Sequence, residues 1–170
     1  DNKRERFLSR EEADLLLDEL KSRSQQLHDI CQLSLYTGMR VGEIFNLSWN
    51  DIDLEHEIIS IKDPKSGENR NAYITRPLSK LFQRIKGNAS KANGLVFKSS
   101  NGKKIREISN VFNRVTEKLG LNENVTDQRN KVVAHTLRHT FASWLAMQGE
   151  PFITIQKLMG HSNLEMTLRY

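Results

Sequence analysis

The chain has 170 residues, enough for one domain with a sizeable core, and its 37% hydrophobic and 28% charged content fits a globular protein in water. No apolar run approaches the ~20 residues of a membrane span. A single cysteine, Cys31, excludes an internal disulfide and suits a reducing, intracellular setting. The net charge of +5 is unevenly spread: residues 1–60 carry 7 Lys/Arg against 13 Asp/Glu, whereas residues 62–91 carry 8 against 2. Lys98, Lys103, Lys104 and Arg106 add to the basic side. Such one-sidedness fits a polyanionic partner such as nucleic acid, or else a solvated Lys-rich loop region.

In chain order, Ser9-Arg10-Glu11-Glu12 reads as a capping box opening a helix with Ala13, Leu16, Leu17 and Leu20 on one face. A second helix, Gln25 to Tyr36, should end near Gly38, a natural left-handed cap. Arg40 then starts a short helix carrying Val41, Ile44, Phe45 and Leu47, and Asn50-Asp51 reads as a turn. Glu57–Ile61 and Arg70–Ile74 read as paired strands around the turn Pro64-Lys65-Ser66-Gly67. Pro77 should end the second strand, with a short helix from Ser79 to Lys86 and a third strand over Gly94–Phe97.

Arg106 to Leu119 is amphipathic, with Ile108, Val111, Phe112, Val115 and Leu119 at helical spacing, and Gly120 to Lys131 reads as a polar loop. Helices are predicted over Thr136–Met147 and from Pro151 to Met159. Ser162-Asn163-Leu164-Glu165 has the pattern of a second capping box, which puts Tyr170 on a final helix. The expected fold class is α+β, mostly α-helical, with a small antiparallel sheet, as one domain over residues 1–170.

The chemistry-bearing residues are Arg40, His135, Arg138, His139, His161 and Tyr170. Two guanidinium forks grip phosphate oxygens at two points each, and a phenol is an unusual nucleophile. A lone Arg is normally a surface ion pair, but Arg138 sits among Leu137, Phe141, Trp144 and Leu145, where an unpaired charge is costly. His135 and His139, four apart, share a helix face. They could bond backbone, bind zinc together with His161, or contact phosphate and move protons. A zinc protease would want Glu beside the first His, and Thr136 stands there. Lys65, on the hairpin turn, reads by itself as a solubilising surface residue. Glu43, three residues after Arg40, could orient a site group or simply pair with Arg40.

Thr37-Gly38-Met39-Arg40-Val41-Gly42-Glu43-Ile44 continuing to Leu47-Ser48-Trp49-Asn50-Asp51-Ile52-Asp53, the Lys65-Ser66-Gly67 turn, His135-Thr136-Leu137-Arg138-His139-Thr140-Phe141-Ala142-Ser143, and Leu158-Met159-Gly160-His161 followed by Tyr170 stand in this order along the chain. Together they resemble the catalytic domain of the tyrosine recombinases, the phage integrase family, over nearly the whole length. The resemblance implies the fold of DNA breaking–rejoining enzymes. It also implies a metal-independent recombinase, working without a cofactor, that joins DNA to Tyr170 through a 3′-phosphotyrosyl link. It assigns Arg40, Lys65, His135, Arg138, His161 and Tyr170 to catalysis and leaves His139 to structure, with Lys62 competing for the Lys65 role. Lys65 would protonate the leaving 5′ oxygen.

The implied partners are double-stranded DNA and further copies of the chain, as a tetramer on DNA, in the cytoplasm of a prokaryotic host. The family's amino-terminal DNA-clamping domain and C-terminal tail are not among these residues, so weak DNA binding is expected of the chain alone. Alternatives are a type IB topoisomerase-like relaxation of supercoils, a DNA-binding module without catalysis, and a His-rich metal hydrolase. Presence of every expected catalytic residue type disfavours the inactive module.

Overall fold

The computed structural model describes residues 6–62, 69–87, 94–168 and 170. Among them, helices α1 (Arg10–Arg23), α2 (Gln25–Thr37) and α3 (Val41–Asn46) precede strands β1 (Ile52–Asp53), β2 (Ile58–Ile61) and β3 (Arg70–Tyr73). Helices α4 (Arg76–Gly87), α5 (Val111–Lys118), α6 (Ala134–Met147) and α7 (Phe152–Met159) follow. The strands form one antiparallel sheet in the order β1-β2-β3, with Ile59 opposite Ala72 and Ile61 opposite Arg70. The mostly helical class with a small antiparallel sheet is therefore as expected.

The α1 capping box forms on both sides: Glu12 N donates to Ser9 Oγ at 3.1 Å, and Ser9 N donates to Glu12 Oε2 at 2.9 Å. Ala13, Leu16, Leu17 and Leu20 are buried, as their spacing requires. They join Cys31 and Leu35 of α2, Phe112 and Val115 of α5, and Leu137 of α6 in one core. A second core packs Ile44 and Phe45 of α3, Ile59 and Ile61 of β2, Ala72 of β3 and Leu78, Leu81 and Phe82 of α4. Burying each of the Leu, Ile, Val and Phe side chains contributes about 1.5–3 kcal/mol before entropy is counted. A third, smaller cluster sets Ala142 of α6 against Ile155 and Met159 of α7.

Helix α6 is a central element beside α2, with seven buried residues from Thr136 to Ser143. The segment before α1 is stitched to it: Leu8 N donates to Thr140 Oγ1, and Trp144 Nε1 donates to Leu8 O, both at 3.0 Å. The Arg10 guanidinium lies 3.6 Å over the Trp144 ring, a cation–π contact. Gly38 ends α2 at φ +68°, and a Cβ there would meet Phe141 Cδ1 of α6 at 2.5 Å. Only glycine meets both demands.

Several expectations are corrected. Pro77 does not end β3 but sits in the first turn of α4, where its missing N–H costs nothing. Gly94–Phe97 makes only a single bridge, Ser48 to Leu95, and the third strand is instead Ile52–Asp53. Helix α5 starts at Val111 rather than Arg106, because Ser109 Oγ accepts from Val111 N at 3.3 Å and turns the chain there. Residues 162–168 form successive turns instead of a final helix. Asn163, not Ser162, caps them by accepting from Met166 N at 3.0 Å, and Thr167 turns inward. The hairpin tip, Lys65 included, lies outside the described residues.

Candidate active site

The chain runs extended through Arg40 (φ −68°, ψ 145°) between the Gly38 turn and α3. Glu43, at the third helical position, reaches back: Arg40 N donates to its Oε2 at 2.7 Å and Arg40 Nη1 to its Oε1 at 3.1 Å. The Arg40 side chain remains 37% exposed, so its guanidinium is held at one end and open at the other.

Arg138, by contrast, is only 2% exposed. Its Nη1 donates to Gly38 O and its Nη2 to Met159 O. These carbonyls close the C-terminal ends of α2 and α7, where backbone dipoles place partial negative charge. Burial, then the Arg40 and Arg70 charges, push the Arg138 guanidinium down to about 9, while Glu43 and Tyr170 act the other way. It is still charged at neutral pH. Burial opposes ionisation of Glu43, but hydrogen bonds and charge from Arg70, the Arg40 N–H and the Arg138 charge outweigh it and hold the carboxyl below its ordinary value.

Gly160 stops α7 in the left-handed conformation (φ +62°) and turns the chain so that His161 faces inward, 7% exposed. Its Nδ1 lies 2.8 Å from Thr167 Oγ1, which fixes the ring. Tyr170 is half-buried against the small α6–α7 cluster. Its ring lies parallel to that of His161, 5° apart in plane with centroids separated by 6.2 Å. The His139 ring is nearer, at 4.7 Å and tilted by 48°.

The structure thus brings Arg40, Arg138, His161 and Tyr170 to one place, around the junction of α2, α6 and α7. His135 lies on the same helix as Arg138, one turn earlier and exposed. Lys65 falls outside the described residues. Lys62, its rival, pairs with Asp51 Oδ1 at 3.0 Å at the foot of β2. Beside Arg40 a cleft of about 840 Å³ opens between α3 and β2, lined by Glu43, Asn46, Ser48, Asp51 and Lys62 among others. Arg76, Lys80, Lys86, Lys98, Lys103, Lys104 and Arg106 are all exposed. Among the described residues, no group of three or more His, Cys, Asp or Glu is placed to hold a metal ion. Burial pushes the Cys31 thiol up, which leaves it unreactive.

Two residues gain importance that sequence reasoning had not given them. His139, assigned to structure, is the imidazole nearer to Tyr170. Arg70, read only as a strand residue, pairs with Glu43 from 27 positions away. No local pattern signals a partner at that distance.

Comparison with known proteins places this geometry in context. The phage integrase family matches residues 6–170. The tyrosine recombinase XerA of Saccharolobus solfataricus is 34% identical over 142 residues, covering 83% of this chain and 44% of the relative. The integrase of Salmonella phage P22 is 31% identical over 182 residues, covering 99% of this chain and 44% of the relative. The chain therefore spans less than half of these relatives. The Tn1549 transposon integrase in complex with a circular intermediate DNA superposes with a TM-score of 0.84 at 24% identity, over 100% of this chain and 62% of that one.

Proposed function

The chain belongs to the phage integrase family, and from that membership we propose that it is the catalytic domain of a site-specific DNA recombinase. The observation that carries this reading is the burial of Arg138 between two helix ends with Tyr170 packed against the neighbouring His139 and His161 rings. A guanidinium so fixed costs no reorganisation when negative charge develops on phosphorus.

In this reading Tyr170 Oη attacks a DNA phosphorus. Its proton passes to a site histidine as the bond forms, and the neighbouring guanidinium charges favour the developing phenolate. Arg40 and Arg138 grip the non-bridging oxygens, with three of Arg138's five N–H groups not committed to the two carbonyls. His161, oriented by Thr167, and His135, exposed towards an incoming strand, supply hydrogen bonds and move protons. The 5′ oxygen leaves with a proton from Lys65. The phosphate is then joined to Tyr170 at the 3′ end, and a second 5′-hydroxyl reverses the step. No nucleotide is consumed, because the phosphotyrosine conserves the broken bond, and no metal or cofactor enters.

The partners in this reading are duplex DNA, met by the exposed basic residues, and further copies of the protein assembled as a tetramer on it, within the cytoplasm of a prokaryotic host. No helix among the described residues is long and apolar enough to cross a membrane. A mobile element is the setting this reading favours, in keeping with the phage P22 relative. The test is incubation with a library of nicked duplexes of randomised sequence, read on a denaturing gel for protein bound covalently to DNA. An adduct is expected from the wild type and none from Tyr170→Phe, with DNA affinity nearly intact. An adduct at the wild-type level in Tyr170→Phe would remove Tyr170 from the mechanism.

A further inference from the structure

Arg70 opens β3, yet its side chain is only 9% exposed. Its Nη1 and Nη2 donate to Glu43 Oε1 and Oε2 at 2.8 and 2.7 Å, and its Nε donates to Leu158 O at 3.0 Å. All three guanidinium nitrogens are engaged. The left-handed turn at Gly160 lies flat on this group: a Cβ there would meet Arg70 Cδ at 2.9 Å and Nη1 at 3.0 Å. One side chain thereby ties β3 to the start of α3 and to the end of α7.

A buried ion pair of this kind is poor evidence of stabilisation, since desolvation offsets much of the attraction and apolar packing often serves as well. What distinguishes this pair is the identity of its contacts. Glu43 is the carboxylate that holds both the backbone and the guanidinium of Arg40. Leu158 and Gly160 flank Met159, whose carbonyl accepts from Arg138, and Gly160 precedes His161. Arg70 is spent on Glu43, so it is not itself a phosphate ligand. Its fork sets the relative position of the groups that would be.

We propose that Arg70 is a positioning residue of the strand-cleaving site, aiming Arg40 through Glu43 and holding the turn that presents His161. This rests on the reading of Arg40 and His161 as phosphate-handling groups. Removing the fork releases Glu43 towards Arg40 and loosens the turn after α7, so the reacting groups lose alignment without losing their charges. Misplacement by about 1 Å costs up to about 100-fold in rate.

The experiment compares wild type, Arg70→Met and Arg70→Lys by single-turnover adduct formation on duplexes trapped from the randomised nicked library, at limiting and saturating DNA. Arg70→Met should cut about 10- to 100-fold more slowly at saturating DNA, with its DNA affinity near that of the wild type. Arg70→Lys keeps the charge but not the fork, so it should recover only part of the rate while melting close to the wild type. If Arg70→Met does not fold, Arg70→Lys carries the test alone. A folded variant of either kind that cuts at the wild-type rate overturns the proposal. So does a defect that saturating DNA abolishes, which would make Arg70 a DNA contact. A wild type that gives no adduct sinks the cleavage reading and the proposal with it, whereas a cutting wild type beside a full-rate Arg70 variant sinks the proposal alone.

Discussion

Arg138→Lys separates what the buried guanidinium does for the fold from what it does for chemistry. The wild-type side chain uses two different nitrogens to reach Gly38 O and Met159 O, bridging the ends of α2 and α7. A single ammonium on a shorter reach serves one of these carbonyls and strands the other. A buried acceptor left without its donor costs about 1–3 kcal/mol. For a domain of this size each kcal/mol moves the melting midpoint by roughly 2–4 °C, so a fall of about 2–12 °C is expected. Cleavage should fall further, by about 100- to 1,000-fold, because a point charge does not reproduce the planar fork on the developing oxyanion. Circular dichroism melts and single-turnover adduct formation at saturating DNA give the two readings on one preparation. A variant that melts and cuts like the wild type refutes the cradle altogether. One that melts lower but cuts at full rate makes Arg138 a structural strut and moves the phosphate grip elsewhere.

Three other perturbations follow from the same geometry. Lys65→Ala should slow cleavage, and a 5′-bridging phosphorothiolate, whose sulfur leaves without a proton, should restore much of the rate; Arg40→Ala should show no such rescue, and rescue of Lys62→Ala instead would shift the hairpin assignment by three residues. Gly38→Ala forces a side chain into the left-handed region and onto Phe141, so a loss of more than about 2 kcal/mol is expected from denaturant unfolding. Asp29 lies 2.7 Å from Arg84 and 3.0 Å from His28; burial resists its ionisation, but bonds from His28, Arg84 and Gln25 prevail and hold its carboxyl below the ordinary value. A folded-state value below the unfolded one, about 3.9, gives stability that is complete above that pH and lost as acid titrates the folded carboxylate. Melting midpoints from pH 6 down to 2 should therefore fall less steeply for Asp29→Asn, and parallel curves would show that the ion pair is not linked to acid stability.

Features coded locally were legible in the sequence. The α1 capping box needs only Ser9 and Glu12, three residues apart, and the buried stripe of α1 follows from periodicity alone. Gly38 announced the end of α2 because few other residues tolerate that backbone. What failed depended on distant partners. Ser162-Asn163-Leu164-Glu165 carries a capping pattern, yet Thr167 is drawn inward by His161, and turns replace the helix. The two-residue β1 has too few side chains to show alternation and exists only through pairing with β2. Within the site, Arg40, Arg138, His161 and Tyr170 stood in recognisable motifs. Arg70 did not, because a basic residue on a strand reads as solvent-facing until Glu43 and Leu158 are found against it.

The stitching of Leu8 to Thr140 spans 132 positions, and the Arg138 bond to Gly38 spans 100. Helices form in about a microsecond, but α6 is seated only when a segment more than a hundred residues upstream has come home. The folding rate should therefore track that of mixed α/β domains rather than helical bundles, despite the helical content. On the ribosome, α1 and α2 can pack early with their far faces still bare. A chain released before α6 would expose the apolar surface that Leu137 covers and would carry no assembled cutting site. A prematurely terminated chain of this kind would lack Arg138, His161 and Tyr170 as well as the helix that covers its core.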